Sequence, residues 1–251
     1  MESLIIALSM YSRLPVKDIE WNDRNMKMAF AWFPLIGVII GIFETIVYEL
    51  CGWLNVNGNF RGALLVFIPL AVTGGIHLDG WIDTRDARSS WGDAKRKLEI
   101  MADPHVGAFA VIWCGVYLLI SYGAWCSLGI SGVAVMDCVF VLERALSGIA
   151  AVNFQNARPG GMLDLTARPA DRMRVTMLLG LWTIASAIAL IVLGGVRGLL
   201  ALIAVLLVFA HYYRTAMREF GGITGDLAGW FLQNCELAVL VVLALLAGTS
   251  I

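Results

Sequence analysis

Long apolar runs alternate with short polar segments along nearly the whole chain. A helix needs ~20 apolar residues to cross a bilayer. Runs near that length lie at about 29–54, 62–78, 106–127, 133–154, 175–194, 197–213 and 229–250. The run at 62–78 is short and leads straight into a polar stretch. The N-terminal segment 2–14 is apolar but too short to cross, and reads as an interfacial or re-entrant helix. It lacks the basic leader and the cleavage site of a signal peptide. The pattern predicts an all-α fold: a polytopic integral membrane helical bundle of about seven spans plus the N-terminal helix, forming one membrane-embedded domain over 1–251.

Composition agrees. The chain is 59% hydrophobic and 15% charged, where soluble domains run near ~25% charged. The net charge of −1 says little, but the placement of charge says more. Fifteen of the eighteen lysines and arginines fall in segments 13–28, 84–105, 155–174 and 212–226. Alternating spans put all four segments on one side, and the positive-inside rule makes that side cytoplasmic. Arg61 and Arg197 then fall in outer loops and Arg144 inside a span. The expected setting is the cytoplasmic (inner) membrane, multi-pass, with the lipid bilayer as partner, no nucleic acid, and a homo-oligomer allowed but not specified. The five cysteines are scattered, with no paired spacing, and read as ordinary buried thiols.

Candidate chemistry concentrates in the stretch Gly74 to Asp86. Asp79, Asp83 and Asp86 recur at i, i+4 and i+7, within ~60° of arc on a helix. Three carboxylates on one face repel each other, and a hard divalent cation such as Mg²⁺ makes them tolerable and bridges to phosphate. The bland reading is a solvated helix end paired with Arg85, Arg88 and Lys95. Gly74, Gly75 and Gly80 leave room for a ligand or another backbone. His77, roughly on the opposite face from Asp79, is either a ligand or base, or a packed histidine. Asp103-Pro104 marks a turn or the N-cap of the third span, and a helix start there can also hold phosphate. Arg158, in a flexible loop, can grip phosphate through its planar fork or simply set topology. Gly221-Gly222-Ile223-Thr224-Gly225-Asp226 is a glycine-rich turn able to cradle phosphate, with Asp226 as metal oxygen, base or cap. Charges inside spans are functional candidates: Glu44, Glu49, Glu143, Arg144 and Glu236. Glu143 and Arg144 are expected to point different ways, with Glu236 or Glu44 as the partner of Arg144. A structural interhelical pair is the bland explanation for these.

Three motifs in order, His77-Leu78-Asp79-Gly80-x-x-Asp83-x-x-Asp86, Leu98-Glu99-Ile100-Met101-x-Asp103-x-x-x-Gly107 and Gly221-Gly222-x-Thr224-Gly225-Asp226, resemble the cobalamin synthase (adenosylcobinamide-GDP ribazoletransferase) family. Ser12-Arg13-Leu14-Pro15 and Phe33-Pro34-Leu35-Ile36-Gly37 also fit. The chain departs from the pattern at Ala87, at Pro104-His105, and at Trp230 and Phe231. The resemblance implies transfer of phospho-cobinamide from adenosylcobinamide-GDP to α-ribazole or its 5′-phosphate, giving adenosylcobalamin or its 5′-phosphate and GMP. It implies Mg²⁺ on Asp79, Asp83 and Asp86, with Asp83 or Asp226 as base. Asp103, His77, Gly221, Gly222 and Thr224 would serve substrate binding, and Arg158 or Arg144 would offset phosphoryl charge. The site would face the cytoplasm. Two other readings are a CDP-alcohol phosphotransferase and a cation-coupled transporter. The first expects Ala-Arg three residues after Asp-Gly, where this chain has Asp83-Thr84. The second expects its acids at the membrane midplane rather than at a span end.

Overall fold

The computed structural model describes residues 1–249. Its helices are α1 (Glu2–Tyr11), α2 (Asp23–Met26), α3 (Phe33–Trp53), α4 (Gly58–Thr73), α5 (Ile76–Ser89), α6 (Ala94–Met101), α7 (Ala108–Ser127), α8 (Ile130–Asn153), α9 (Met162–Ala167), α10 (Arg172–Thr215) and α11 (Gly225–Leu245). No strand occurs among the described residues beyond one isolated bridge, Asn156 to Ile223.

Length and apolarity alone mark four spanning stretches, 23–53, 108–127, 172–220 and 225–245, and a fifth if α4 and α5 are joined across their 95° bend. Two further traverses come from packing. A continuous α10 of 44 residues would run ~66 Å, about twice the hydrocarbon core. It breaks at Gly195, where φ is 55° and ψ −128°. Arg172 Nε donates to Asn153 Oδ1 at 2.9 Å, and the Tyr213 ring lies 4.9 Å from that of Phe154. Both ends of α10 therefore meet the C-terminal end of α8, and the limbs 172–194 and 196–215 run antiparallel. Helix α8 carries Asp137, Glu143 and Arg144, so it is less apolar, yet it packs against α3, α10 and α11 as the centre of the bundle. The expected seven traverses and the N-terminal helix are all present. α4 stops at Thr73, because Gly74 (φ 68°) and Gly75 (φ 78°) turn the chain, so His77 belongs to α5.

The four basic segments meet at one end. Lys27 Nζ lies 3.9 Å from Asp171, Arg158 donates to the Leu98 carbonyl at 2.8 Å, and Arg88 and Lys97 both engage Glu219. Arg61, stacked over Tyr48, and Arg197, bonded to the Leu246 and Thr249 carbonyls, lie at the other end.

The interior corrects one expectation. Glu143 and Arg144 do not diverge: Arg144 Nη1 meets Glu143 Oε1 at 2.7 Å. The long guanidinium arm folds back along its own helix, where Nη1 also reaches the Phe140 carbonyl at 3.0 Å. Glu236 Oε1 stands 3.8 Å from Nη2, as one of the two expected partners, whereas Glu44 is fully buried and neither of its oxygens finds a partner. Glu49 is exposed near the end of α3. Asp137, overlooked among the charges inside spans, accepts from Thr45 Oγ1 at 2.6 Å.

Single cysteines at positions 93 and 164, in a cysteine-free background, are expected to label with an impermeant reagent from the same face of the membrane, and one at position 55 from the opposite face. Labelling of all three from one face would contradict the seven-traverse arrangement.

Candidate active site at the basic end

Two glycines decide where the aspartates sit. α5 crosses α11 with almost no separation. A Cβ on Gly80 would lie 2.7 Å from the Asp226 Cα, and one on Gly229 would lie 2.7 Å from the His77 carbonyl oxygen. Small residues permit this approach of backbones. The crossing places the first turn of α11 against the acidic face of α5. Trp81, buried beside it, donates to Asn234 Oδ1 at 3.3 Å and packs on Tyr117, fixing the rotation of α5.

Four carboxylates now share one surface: Asp79, Asp83 and Asp86 from α5, and Asp226 from α11. Partial burial, then the charges of Asp79, Asp226 and Asp86, push the Asp83 carboxyl up to about 7, against a smaller opposing effect of Arg158. Such mutual repulsion marks a site arranged for something other than its own stability. The basic residues next to these aspartates in sequence do not relieve it. Arg88 forms a forked pair with Glu219 at 2.9 and 3.2 Å, which Lys97 also joins at 2.8 Å. Arg85 stacks between Trp81 and Trp113. Among the described residues, the cation nearest the cluster is Arg158, with Nη1 3.9 Å from Asp226 Oδ2. No three His, Cys, Asp or Glu side chains among the described residues are gathered tightly enough to cage a metal ion as they stand. The cluster is an open ring of carboxylates, with Asp79 exposed and Asp83, Asp86 and Asp226 half-buried.

Arg158 and Asp226 come together because their loops are clipped. Ile223 N–H donates to the Gln155 carbonyl at 2.8 Å, and Ala157 N–H to the Ile223 carbonyl at 2.9 Å. This changes the meaning of Gly222. Its missing Cβ makes room for residues 155–157, 2.6 Å from the Gln155 oxygen, so the glycine seats a neighbouring loop rather than a ligand. Gly221, at φ 74°, is exposed and terminates the π-helical turn Ala216–Phe220. Thr224 is buried and caps α11, its Oγ1 accepting from Leu227 N–H at 3.1 Å.

Asp103 does not cap the third span. Its Oδ1 is taken by the His105 backbone and ring nitrogens at 2.9 and 2.7 Å, which hold its carboxyl below the usual range. The residue is exposed in the α6–α7 loop. The N-cap position of α7 belongs to Gly107, whose N–H donates to Asp86 Oδ2 at 3.1 Å. Arg144 is fully buried in the bundle and is not brought to the acidic surface. His77 is buried against Tyr11 and Phe33.

Two clefts open beside the carboxylates. One, of about 650 Å³, lies between α1 and the α4–α5 elbow and is bordered by Arg13, Gly74, Gly75 and Asp79. The other, of about 180 Å³, lies under α1 and α9 and is bordered by Tyr11, Phe30, Phe33, His77, Asp79 and Asp226. Sequence reasoning missed Arg13 and Tyr11 as site residues, although the Ser12-Arg13-Leu14-Pro15 match pointed to this segment. It also missed Glu219, which carries no motif of its own.

A family model described as cobalamin-5-phosphate synthase matches residues 3–244. A relative named adenosylcobinamide-GDP ribazoletransferase from Lachnoclostridium phytofermentans is 37% identical over 251 residues, covering 100% of this chain and 96% of its own. Relatives with the same name from Pseudomonas aeruginosa and Clostridium perfringens are 32% and 28% identical, each covering 98% of both chains. No solved structure matches the chain significantly.

In an open helix position, glycine to alanine gains up to ~1 kcal/mol. At Gly80 the sign is expected to reverse, since overpacking costs ~1–3 kcal/mol. Gly80→Ala should lower the thermal unfolding midpoint in detergent. Gly115→Ala, where a Cβ meets nothing within 4 Å, should leave it unchanged or raise it. Equal midpoints for the two variants would show that the crossing is loose.

Proposed function

The chain belongs to the cobalamin-5-phosphate synthase family, and we propose that the shared acidic surface of α5 and α11 is where it carries out the family's transfer. The reaction is the nucleotide-loop step of cobalamin assembly. Phospho-cobinamide moves from adenosylcobinamide-GDP to a hydroxyl of α-ribazole or its 5′-phosphate, and GMP leaves. One P–O bond forms to the ribazole oxygen, and the P–O bond to GMP breaks. The observation that carries this reading is the cluster of four carboxylates with Arg158 against one of them, at the end where all four basic segments meet.

The residues divide the work by position. Asp79, Asp83 and Asp86 would hold a hard divalent cation, Mg²⁺, on drawing closer together than they stand, because they offer oxygen donors in excess of nearby positive charge. Bound there, the cation would neutralise diphosphate charge alongside Arg158 and, at the edge of the larger cleft, Arg13. Asp226 lies on the other side of the crossing. It takes the proton of the attacking hydroxyl, needing only to come within hydrogen-bond reach of it. Arg158, anchored by the Leu98 carbonyl, steadies the transferred phosphoryl group. Glu219 keeps Arg88 and Lys97 away from the carboxylates, so they stay free for metal and substrate. The basic end faces the cytoplasm by the positive-inside rule, where nucleotide substrates are found.

Asp83→Asn removes the most crowded charge while keeping size and shape. Its release of GMP from adenosylcobinamide-GDP and α-ribazole phosphate is expected to fall by at least ~100-fold, the scale on which loss of one electrostatic contact to developing charge acts. Without metal the variant should unfold at or above the wild-type temperature, since a repelled carboxylate is gone. Added Mg²⁺ should raise the wild-type midpoint and leave that of the variant unmoved. Near-wild-type GMP release by the variant at saturating Mg²⁺ would remove Asp83 from the site.

A further inference from the structure

We infer that the 180 Å³ cleft under α1 binds the flat bicyclic base of the acceptor riboside and selects it, with His77 as a specific polar partner. The inference rests on the transfer reaction proposed above and assigns the acceptor's place within it.

Size comes first. The cleft, at about 180 Å³, falls below the ~300 Å³ at which pockets for drug-sized ligands begin. It admits one ring system and excludes a corrin. Shape and chemistry follow. Tyr11, Phe30 and Phe33 border it with aromatic side chains, the Tyr11 and Phe33 rings packed at 4.2 Å between centroids and tilted by 36°. Aromatic walls favour a flat π-system. Apart from its acidic border the lining offers only Tyr11, His77, Ser147 and Thr166 as polar side chains, so guanine, with polar groups around its edge, would leave some of them unpaired, at ~1–3 kcal/mol each. The dimethylbenzimidazole of ribazole has two methyl groups and a single free ring nitrogen. The cleft offers a match for that nitrogen. His77 is 7% exposed, borders the cleft, and its buried Nε2 has no hydrogen-bond partner. An unsatisfied buried nitrogen is rare in a folded protein and calls for an explanation. Donation from Nε2–H to the free nitrogen of the base supplies one.

Direction supports the same assignment. Asp79 and Asp226 stand at the border of this cleft. A base held among the aromatic rings leaves its ribose at that border, with a hydroxyl beside Asp226 and the diphosphate across the carboxylate ring. The larger cleft beside Arg13 is left to the bulky donor. His77 is thus a binding residue for the base, and Tyr11 links the N-terminal helix to substrate choice.

Two variants and one wild-type measurement test this. His77→Phe keeps an aromatic ring and removes the N–H. Its acceptor KM should rise about ten-fold, the loss of ~1.4 kcal/mol, with donor KM and kcat at saturating acceptor nearly unchanged. Ala151→Leu adds bulk to the cleft wall. It should discriminate against the dimethylated base relative to unsubstituted benzimidazole riboside, while wild-type enzyme favours the dimethylated one. With wild-type enzyme, free 5,6-dimethylbenzimidazole should inhibit competitively against acceptor and not against donor, and guanine should not inhibit this way. If the variants fail to fold, the inhibition pattern alone decides. Inhibition against donor, no inhibition, or unchanged acceptor KM in folded His77→Phe would overturn the cleft assignment while GMP release still stands. Absence of GMP release by wild-type enzyme with any acceptor would instead overturn the reaction.

Discussion

Everything at the candidate site depends on two helices touching backbone to backbone. α5 is short and bears five charged side chains, so it contributes little to membrane anchoring. It is held by its crossing with α11, where Gly80 and Gly229 each leave room for the other helix. Lipid offers no hydrophobic drive for helices to associate, so such close van der Waals contact does much of the holding. The same contact sets Asp79, Asp83 and Asp86 against Asp226, and repulsion among them is the cost of that placement. Function and stability pull in opposite directions at this crossing, as expected where carboxylates are kept for a ligand.

Charge is sorted around the crossing with the same economy. Thirteen residues of sequence, 85–97, hold five basic side chains, yet Arg88 and Lys97 are occupied by Glu219 and Arg85 by two indoles. The arginine that does approach comes from far along the chain, on a loop clipped to the turn before α11. Deep in the bundle, Arg144 is matched by Glu143 and Glu236, a separate network that holds α8 to α11. A buried charge left unmatched there would be costly, and Arg144 meets its partners in the core rather than at the acidic surface.

Much of this was legible in the sequence because membranes impose simple rules. Apolar run length and basic-residue placement predicted seven traverses and one basic end. The break at Gly195 was readable as the gap between the apolar runs 175–194 and 197–213, even though the helix is nearly continuous through it. The i, i+4, i+7 spacing placed the three aspartates on one face, and Asp226 and Arg158, singled out for their chemistry, lie beside that face. What spacing could not show was which distant groups meet. Glu143 with Arg144 looked divergent because helix geometry fixes Cβ directions and not the reach of a long side chain. Gly222 looked like a phosphate cradle, yet its neighbour is another loop of the same chain. Asp103 read as a turn or a helix cap; it makes the turn, accepting from the His105 N–H, while Asp86, from another helix, reaches the start of α7. The aromatic cleft draws on residues from both ends of the sequence, so no local pattern announces it.

Iron-directed cleavage is the most direct measurement of whether a divalent cation held on α5 lies against the start of α11. Fe²⁺ takes the place of Mg²⁺, and ascorbate with peroxide generates radicals that cut backbone within a few ångströms of the metal. Cuts near residues 79–86 and near residues 222–226 in the same sample, both suppressed by excess Mg²⁺, are the expected result. Cuts confined to one of the two segments, or centred on Glu143 and Glu236, would contradict a shared site at the crossing.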